Sequence, residues 1–341
     1  MRILYGLSGD GYGHSSRAKV VGAYLKKWGH DLKFVTYGRS VDVLKDADFD
    51  VFEVSGMEMK FIRGKLQKGK TFAYNAKVLS DNLFQWHRFH KLMKEFKPDI
   101  CISDMDIIVP ILRFWYNKPL ICIDNQHRIT NLKLDVPKKY YKDYLLAKVV
   151  VNNFVARAEH FIITSFTEAE IKTKNTTIVP PVIRDEVKSL KPSYGSKIMV
   201  YLTRENQKVI DILKGFDEDF VIYGYNVNKK DNNLEFKKKD TFLDDLKNCK
   251  AVIATAGFTL MSEALYLKKA YLALPLEGQF EQVLNSLFLK NAGYGDYSDD
   301  PEKEDVAKFL NNLESYNKQL KDYKLDFDKL PEILKTVIDR L

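Results

Sequence analysis

The sequence predicts an α/β fold made of two Rossmann-like domains in tandem. Three observations carry that prediction. Short apolar runs alternate with longer helical patterns across 341 residues, which is what a parallel sheet with right-handed crossovers requires. A proline pair in TIVPPVIRDE, Pro180 and Pro181, interrupts the alternation near mid-chain and reads as an interdomain linker. A turn of small residues stands between a strand and a helix once in each half, as GDGYGHSS at 9–16 and as AGFT at 256–259.

In chain order, strands are predicted at 2–7, 32–36, 49–54, 99–103, 119–123 and 160–164, with helices at 15–28, 71–96, 106–116 and 138–158. These fill a first domain, 1–180. Strands near 197–202, 219–223, 251–254 and 270–274 and helices near 206–214, 241–248, 259–267 and 280–290 fill a second, 181–325. Helical patterns at 303–320 and 330–341 close the chain, and 326–341 is expected to pack back toward the first domain. Open parallel sheets bind ligands beyond the carboxyl ends of their strands. The chemistry is therefore expected at those ends, in a cleft between the domains.

Composition narrows the class. With 45% hydrophobic residues the chain can bury two cores, and no apolar run approaches the roughly 20 residues needed to span a bilayer. The first strand begins at Arg2, which leaves no room for a signal peptide. Cys101, Cys122 and Cys249 lie in or beside apolar runs without metal-ligand spacing, so buried free thiols and a cytoplasmic setting are expected. The net charge of +8 comes largely from scattered surface lysines. Two stretches are denser, 60–70 (KFIRGKLQKGK) and 138–148 (KKYYKDYLLAK). No nucleic-acid motif accompanies them. They are either plain surface or a contact with an anionic membrane or a phosphate-bearing acceptor.

The first turn invites comparison with the dinucleotide fingerprint. Gly9 and Gly11 fit it, but His14 stands at its third position, and no acidic residue ends the second strand to hold a ribose. Gly11 and Gly13 would still let a substrate approach the backbone. His14, at the helix start, is either a structural histidine or a general base. Asp104 ends the run PDICIS, and Asn125, Gln126 and His127 follow PLICI, all at strand ends expected to face an acceptor. DMD at 104–106 matches the Asp-x-Asp that binds a divalent metal in another transferase fold, but the motif is short and arises by chance. No metal site and no cofactor are assigned.

Three stretches together, GDGYGHSSRA, ATAGFTLMSEAL and LPLEGQFEQVLN, give the chain a resemblance to GT-B glycosyltransferases. The second half is similar to the branch containing the N-acetylglucosaminyl transferase of peptidoglycan lipid-intermediate synthesis. The whole pattern sits nearest to teichoic-acid or surface-glycan transferases. The likeness covers most of the chain, and only these motifs are specific.

The resemblance implies a nucleotide-diphosphate sugar, UDP-linked, bound by the second domain. Gly257, Phe258 and Thr259 would offer backbone N–H groups and the helix dipole to the diphosphate, with hydroxyls from Thr259 and Ser262. Glu263 would accept hydrogen bonds from the ribose hydroxyls, Glu281 and Gln282 would contact the sugar, and Phe242 the base. Thr203 and Arg204, ending a strand, would approach the phosphates. His14 would take the acceptor's proton with Asp104 orienting it, and the anomeric centre would invert. The implied partners are the donor and a glycan or lipid-linked acceptor, with a peripheral membrane contact and no nucleic acid. A UDP-sugar epimerase of the same fold and a non-catalytic nucleotide-sugar binder remain as alternatives.

Overall fold

The computed structural model describes every residue except Asp10, 57–60, 63–64 and 155–156, together with some side chains in 61–83 and those of Tyr12 and Phe154. Much of the basic stretch 60–70 therefore lies outside the described residues. The described chain separates into two compact units. The first holds Met1–Ile62, Leu66–Val182 and Asp326–Leu341, and the second holds Ile183–Leu325.

In the first unit, β1 (Arg2–Leu7), β2 (Asp31–Thr36), β3 (Asp50–Glu53), β4 (Ile100–Asp104), β5 (Leu120–Asp124), β6 (His160–Thr164) and β7 (Thr176–Val179) form one sheet. Its order is β3-β2-β1-β4-β5-β6-β7, and its pairings are parallel. Alternation along the strands sends side chains to both faces. Ile3, Tyr5, Leu7, Ile102 and Ile123 pack with Val21 and Leu25 of the helix Tyr12–Lys27 and with Leu334 and Ile338 of the helix Lys329–Ile338. On the other face, Leu4, Cys101 and Cys122 pack with Leu92 of the helix Trp86–Phe96 and Val109 of the helix Ile108–Trp115. Each such large apolar side chain contributes about 1.5–3 kcal/mol through burial.

In the second unit, β8 (Ile198–Tyr201), β9 (Phe220–Tyr223), β10 (Lys229–Asp231), β11 (Leu234–Phe236), β12 (Val252–Thr255), β13 (Tyr271–Leu274) and β14 (Gly295–Tyr297) run in the order β10-β11-β9-β8-β12-β13-β14. Only the edge strand β10 is antiparallel to its neighbour. The helix Phe258–Tyr266 leaves the end of β12, and Phe280–Asn291 follows β13. The three cysteines are free and buried, and burial pushes the Cys101 and Cys249 thiols up to about 12.

Three differences from the sequence reading have physical causes. Residues 176–179 are not linker but the edge strand β7, so the sheet ends where Pro180 removes a donor. The helix predicted over 71–96 is two, Lys68–Phe84 and Trp86–Phe96, broken at Gln85. The helix predicted over 303–320 is likewise two, Lys303–Asn311 and Leu313–Lys321.

Candidate active site

The carboxyl ends of β1 and β4 lie side by side. Leu7 is in register with Asp104, and the Ser8 amide donates to the Asp104 carbonyl at 3.0 Å. Beyond Ser8 the chain turns through a tight corner, where a Cβ at Gly9 would lie 2.0 Å from the Tyr37 carbonyl oxygen. Gly11 caps the next helix with a φ of 87°, a conformation that favours glycine. Gly13 and His14 then fall in the first turn of that helix.

His14 Nδ1 lies 2.7 Å from Asp104 Oδ1, with the imidazole 13% exposed and the carboxylate fully buried. The carboxylate can only accept, so Nδ1 carries a hydrogen, and in the neutral imidazole Nε2 then keeps its lone pair. Arg17, one helical turn on, completes the arrangement. Its Nε donates to Asp104 Oδ2 at 2.7 Å, its Nη2 to Oδ1 at 2.6 Å and its Nη1 to Asn125 Oδ1 at 3.3 Å. Burial alone would lower the guanidinium, but the charge and hydrogen bonds of Asp104 outweigh it and hold Arg17 above its ordinary range. A buried carboxylate is thus neutralised from one side and orients an imidazole on the other. The sequence reading did not single out Arg17. Its i,i+3 spacing from His14, which places both on one helix face, is the signal that was available.

The two aspartates of DMD serve different partners. Met105 between them takes a left-handed φ of 52°, and Asp106 turns to cap the helix Ile108–Trp115. Its oxygens accept from the Ile108 amide at 3.1 Å and the Val109 amide at 2.6 Å. Burial pushes its carboxyl up to about 6, against the pull of those amides.

Asn125, Gln126 and His127 are buried rather than presented at the surface. Asp124 holds His127 in place: its Oδ1 accepts from the His127 amide at 2.9 Å, and its Oδ2 lies 2.6 Å from Nδ1. The Cys122 thiol donates to Oδ2 at 3.0 Å. Burial would raise the Asp124 carboxyl, but His127 and these hydrogen bonds hold it below its ordinary range. Cys122, Asp124 and His127 place potential ligand atoms within 4.8 Å of one another. However, 2.6 Å between carboxylate and imidazole is a hydrogen bond, and two ligands of one tetrahedral ion sit roughly 3.3 Å apart. The group reads as a buried polar cluster that braces the β5 end.

In the second unit the turn after β12 begins at Ala256, whose carbonyl accepts from Asn285 Nδ2 at 2.8 Å. That bond ties the turn to the helix carrying Glu281 and Gln282. Gly257 caps the helix Phe258–Tyr266. Gly257 and Thr259 are partly exposed and Phe258 is buried. Ser262 is buried as well, and its hydroxyl donates back to the Phe258 carbonyl at 2.8 Å.

Glu263 is 1% exposed and has a partner that the sequence did not reveal. Arg184 Nε donates to its Oε1 at 2.6 Å, and Arg184 Nη2 to its Oε2 at 2.7 Å. The hydrogen bond to Glu263 raises the Arg184 guanidinium above its ordinary value despite partial burial. Gln282 is engaged with its own turn, its Oε1 accepting from the Leu276 amide at 3.0 Å. Phe242 packs edge-on to Tyr201 and Tyr223, with ring centroids 5.7 and 5.0 Å away. Thr203 is exposed, and Arg204 and Glu281 are partly so.

Two parallel-sheet units with these strand-end turns define a GT-B glycosyltransferase fold. The crystallised glycotransferase of kitacinnamycin superposes with a TM-score of 0.68 at 12% identity, over 94% of this chain and 92% of its own. The chain belongs to glycosyl transferase family 1, whose profile matches residues 1–314. It is 26% identical to an uncharacterised glycosyltransferase of Methanosarcina acetivorans over 89% of this chain and 87% of that one. It is 25% identical to a Clostridium botulinum UDP-N-acetylglucosamine–N-acetylmuramyl-(pentapeptide) pyrophosphoryl-undecaprenol N-acetylglucosamine transferase, over 92% of this chain and 91% of that one.

Proposed function

We propose that this glycosyltransferase moves a sugar from a UDP-sugar to a hydroxyl of a cell-surface glycan or lipid-linked precursor, with inversion and without a metal. The observation that carries the reading is the 2.7 Å contact between His14 Nδ1 and the buried Asp104 carboxylate, which leaves Nε2 as a proton acceptor. In the reaction the acceptor oxygen gives its proton to Nε2 and forms a bond to the anomeric carbon. The bond from that carbon to the diphosphate oxygen breaks, and UDP leaves with the electron pair. The amides at the start of the helix Phe258–Tyr266 would stabilise the charge that develops there, the task a divalent ion performs elsewhere. No other cofactor is needed. A UDP-linked donor and a lipid-linked acceptor are supported by the name of the clostridial relative.

A thermal-shift screen tests the donor assignment. UDP at about 100 times its dissociation constant should stabilise the fold by about 2.7 kcal/mol in the presence of a chelator, and NAD and CMP should not. A shift that needs manganese would overturn the metal-free mechanism. Turnover of donor without any acceptor would replace transfer by epimerisation.

A further inference from the structure

The helix Tyr141–Phe154 carries its apolar residues on the wrong side for a surface helix. Tyr144 and Val151 are buried and fix it to the first unit. The face turned away from them should be polar, yet Tyr141, Leu145, Leu146, Val149 and Val150 are 53%, 45%, 45%, 58% and 41% exposed. Residues 141, 145 and 149 follow one i,i+4 row, and 146 and 150 the next. Of the three tyrosines in the stretch 138–148, Tyr140 and Tyr144 are interior and Tyr141 is exposed. The exposed face is Tyr141 followed by four aliphatic side chains, and it runs beyond that stretch.

Cations frame this face. Lys138 and Lys139, in the turn that leads into the helix, and Lys142 within it are all exposed. From 138 to 154 the chain holds four lysines against one acid, Asp143. The positive field extends to Lys172, held below its ordinary value by partial burial and then by Lys148. Among the described residues no helix is long and apolar enough to cross a membrane. An aliphatic face with basic flanks on a helix of 14 residues suits the plane of a bilayer surface.

We propose that this face docks on an anionic bilayer, with the aliphatic side chains entering the headgroup boundary and the lysines meeting lipid phosphates. A second copy of the chain is a poorer occupant, because like faces would bring lysines against lysines. The proposal is independent of the donor and the acceptor.

The test compares the full chain on vesicles of phosphatidylcholine alone with vesicles enriched in phosphatidylglycerol. Co-sedimentation should require the anionic lipid and fall as salt rises. Each lysine near such a surface multiplies partitioning by about fivefold, so Lys138→Gln, Lys139→Gln and Lys142→Gln together should lower it about 100-fold. Leu145→Asn with Val149→Asn should lower it roughly tenfold or more while leaving the melting transition and UDP binding in place. Should that pair misfold, Val149→Cys carrying an environment-sensitive dye still reports insertion, since the native thiols are buried. Its emission should shift to the blue on anionic vesicles alone. Three results overturn the proposal: equal recovery on both vesicle types, binding that both sets of variants retain, or a wild-type dimer in light scattering that the aliphatic variants dissolve.

Discussion

Replacing Arg184 by methionine should weaken UDP binding through Glu263, without removing a group that touches the ligand. The guanidinium meets the carboxylate side-on at 2.6 and 2.7 Å, and the Glu263 side chain is 2% exposed. A carboxylate offers about four lone-pair positions. The paired guanidinium occupies one on each oxygen, which leaves one on each for a vicinal diol such as the 2′,3′-hydroxyls of ribose. Removing one partner of a fully buried pair costs about 3–5 kcal/mol. Arg184 is 36% exposed, so water offsets part of that and about 2–3 kcal/mol of stability should be lost. The freed carboxylate no longer holds its orientation, and UDP should bind about tenfold more weakly, or about 1.4 kcal/mol. Calorimetric titrations of UDP and of its 2′,3′-dideoxy analogue into both proteins separate the causes. The dideoxy nucleotide should distinguish the two proteins by about twofold or less. Arg184→Lys keeps the charge but not the planar fork, so it should recover stability more than affinity. An equal loss on both nucleotides would refute the reasoning, since Arg184 would then be acting on the ligand or the fold and not through Glu263.

His14→Ala should lower transfer by about 10²–10⁴-fold and leave UDP affinity intact, measured by UDP release beside calorimetry; loss of nucleotide binding would remove its assigned role. Arg17→Met strands the buried Asp104 carboxylate and should cost about 3–5 kcal/mol in urea unfolding, whereas a cost within experimental error would show that the pair does not hold the site. For Asp106 the pH dependence has a definite sign: burial raises its carboxyl to about 6, so its contribution is most favourable below about pH 4 and declines as pH rises through 6. Relative to Asp106→Asn, the wild type should therefore gain about 1 kcal/mol between pH 7 and pH 5; a flat difference would refute the shift. Asp124, held below its ordinary range, loses stability only below about pH 4, outside that window.

The central strands of both sheets were legible because each is a short, β-branched apolar run, buried on two faces by crossover helices. The edges were not. Residues 229–231 and 234–236 read KKD and LEF, and 295–297 read GDY. None of these has a strand signature, and they become strands because a neighbour's unpaired backbone groups are there to receive them. Residues 176–179 were obscured by the prolines that follow them. The break at Gln85 lies between two helices that share one apolar period, with neither glycine nor proline to mark it.

The candidate site divides along the same line. His14 and Asp104 stand at a helix start and a strand end, and Glu263 lies in the helix that follows a strand end, positions a topology argument reaches. The arginines that neutralise the two carboxylates were missed, and the reason is physical. Arg17 lies 87 residues from Asp104 and Arg184 lies 79 from Glu263. A sequence with 54 cationic residues gives no local sign of which two are drawn into the interior. The need for them does follow from the sequence once burial is granted, because a carboxylate taken out of water must be paired or protonated. Both units meet that need with a fork of guanidinium N–H groups. Each fork fixes the carboxylate plane and leaves its remaining lone pairs directed at another group: the His14 imidazole in the first unit and, on the proposed function, the donor ribose in the second. On that function, the strand ends and helix starts set where the chemistry would sit, and the two Arg–carboxylate pairs would set the orientation and charge with which it acts.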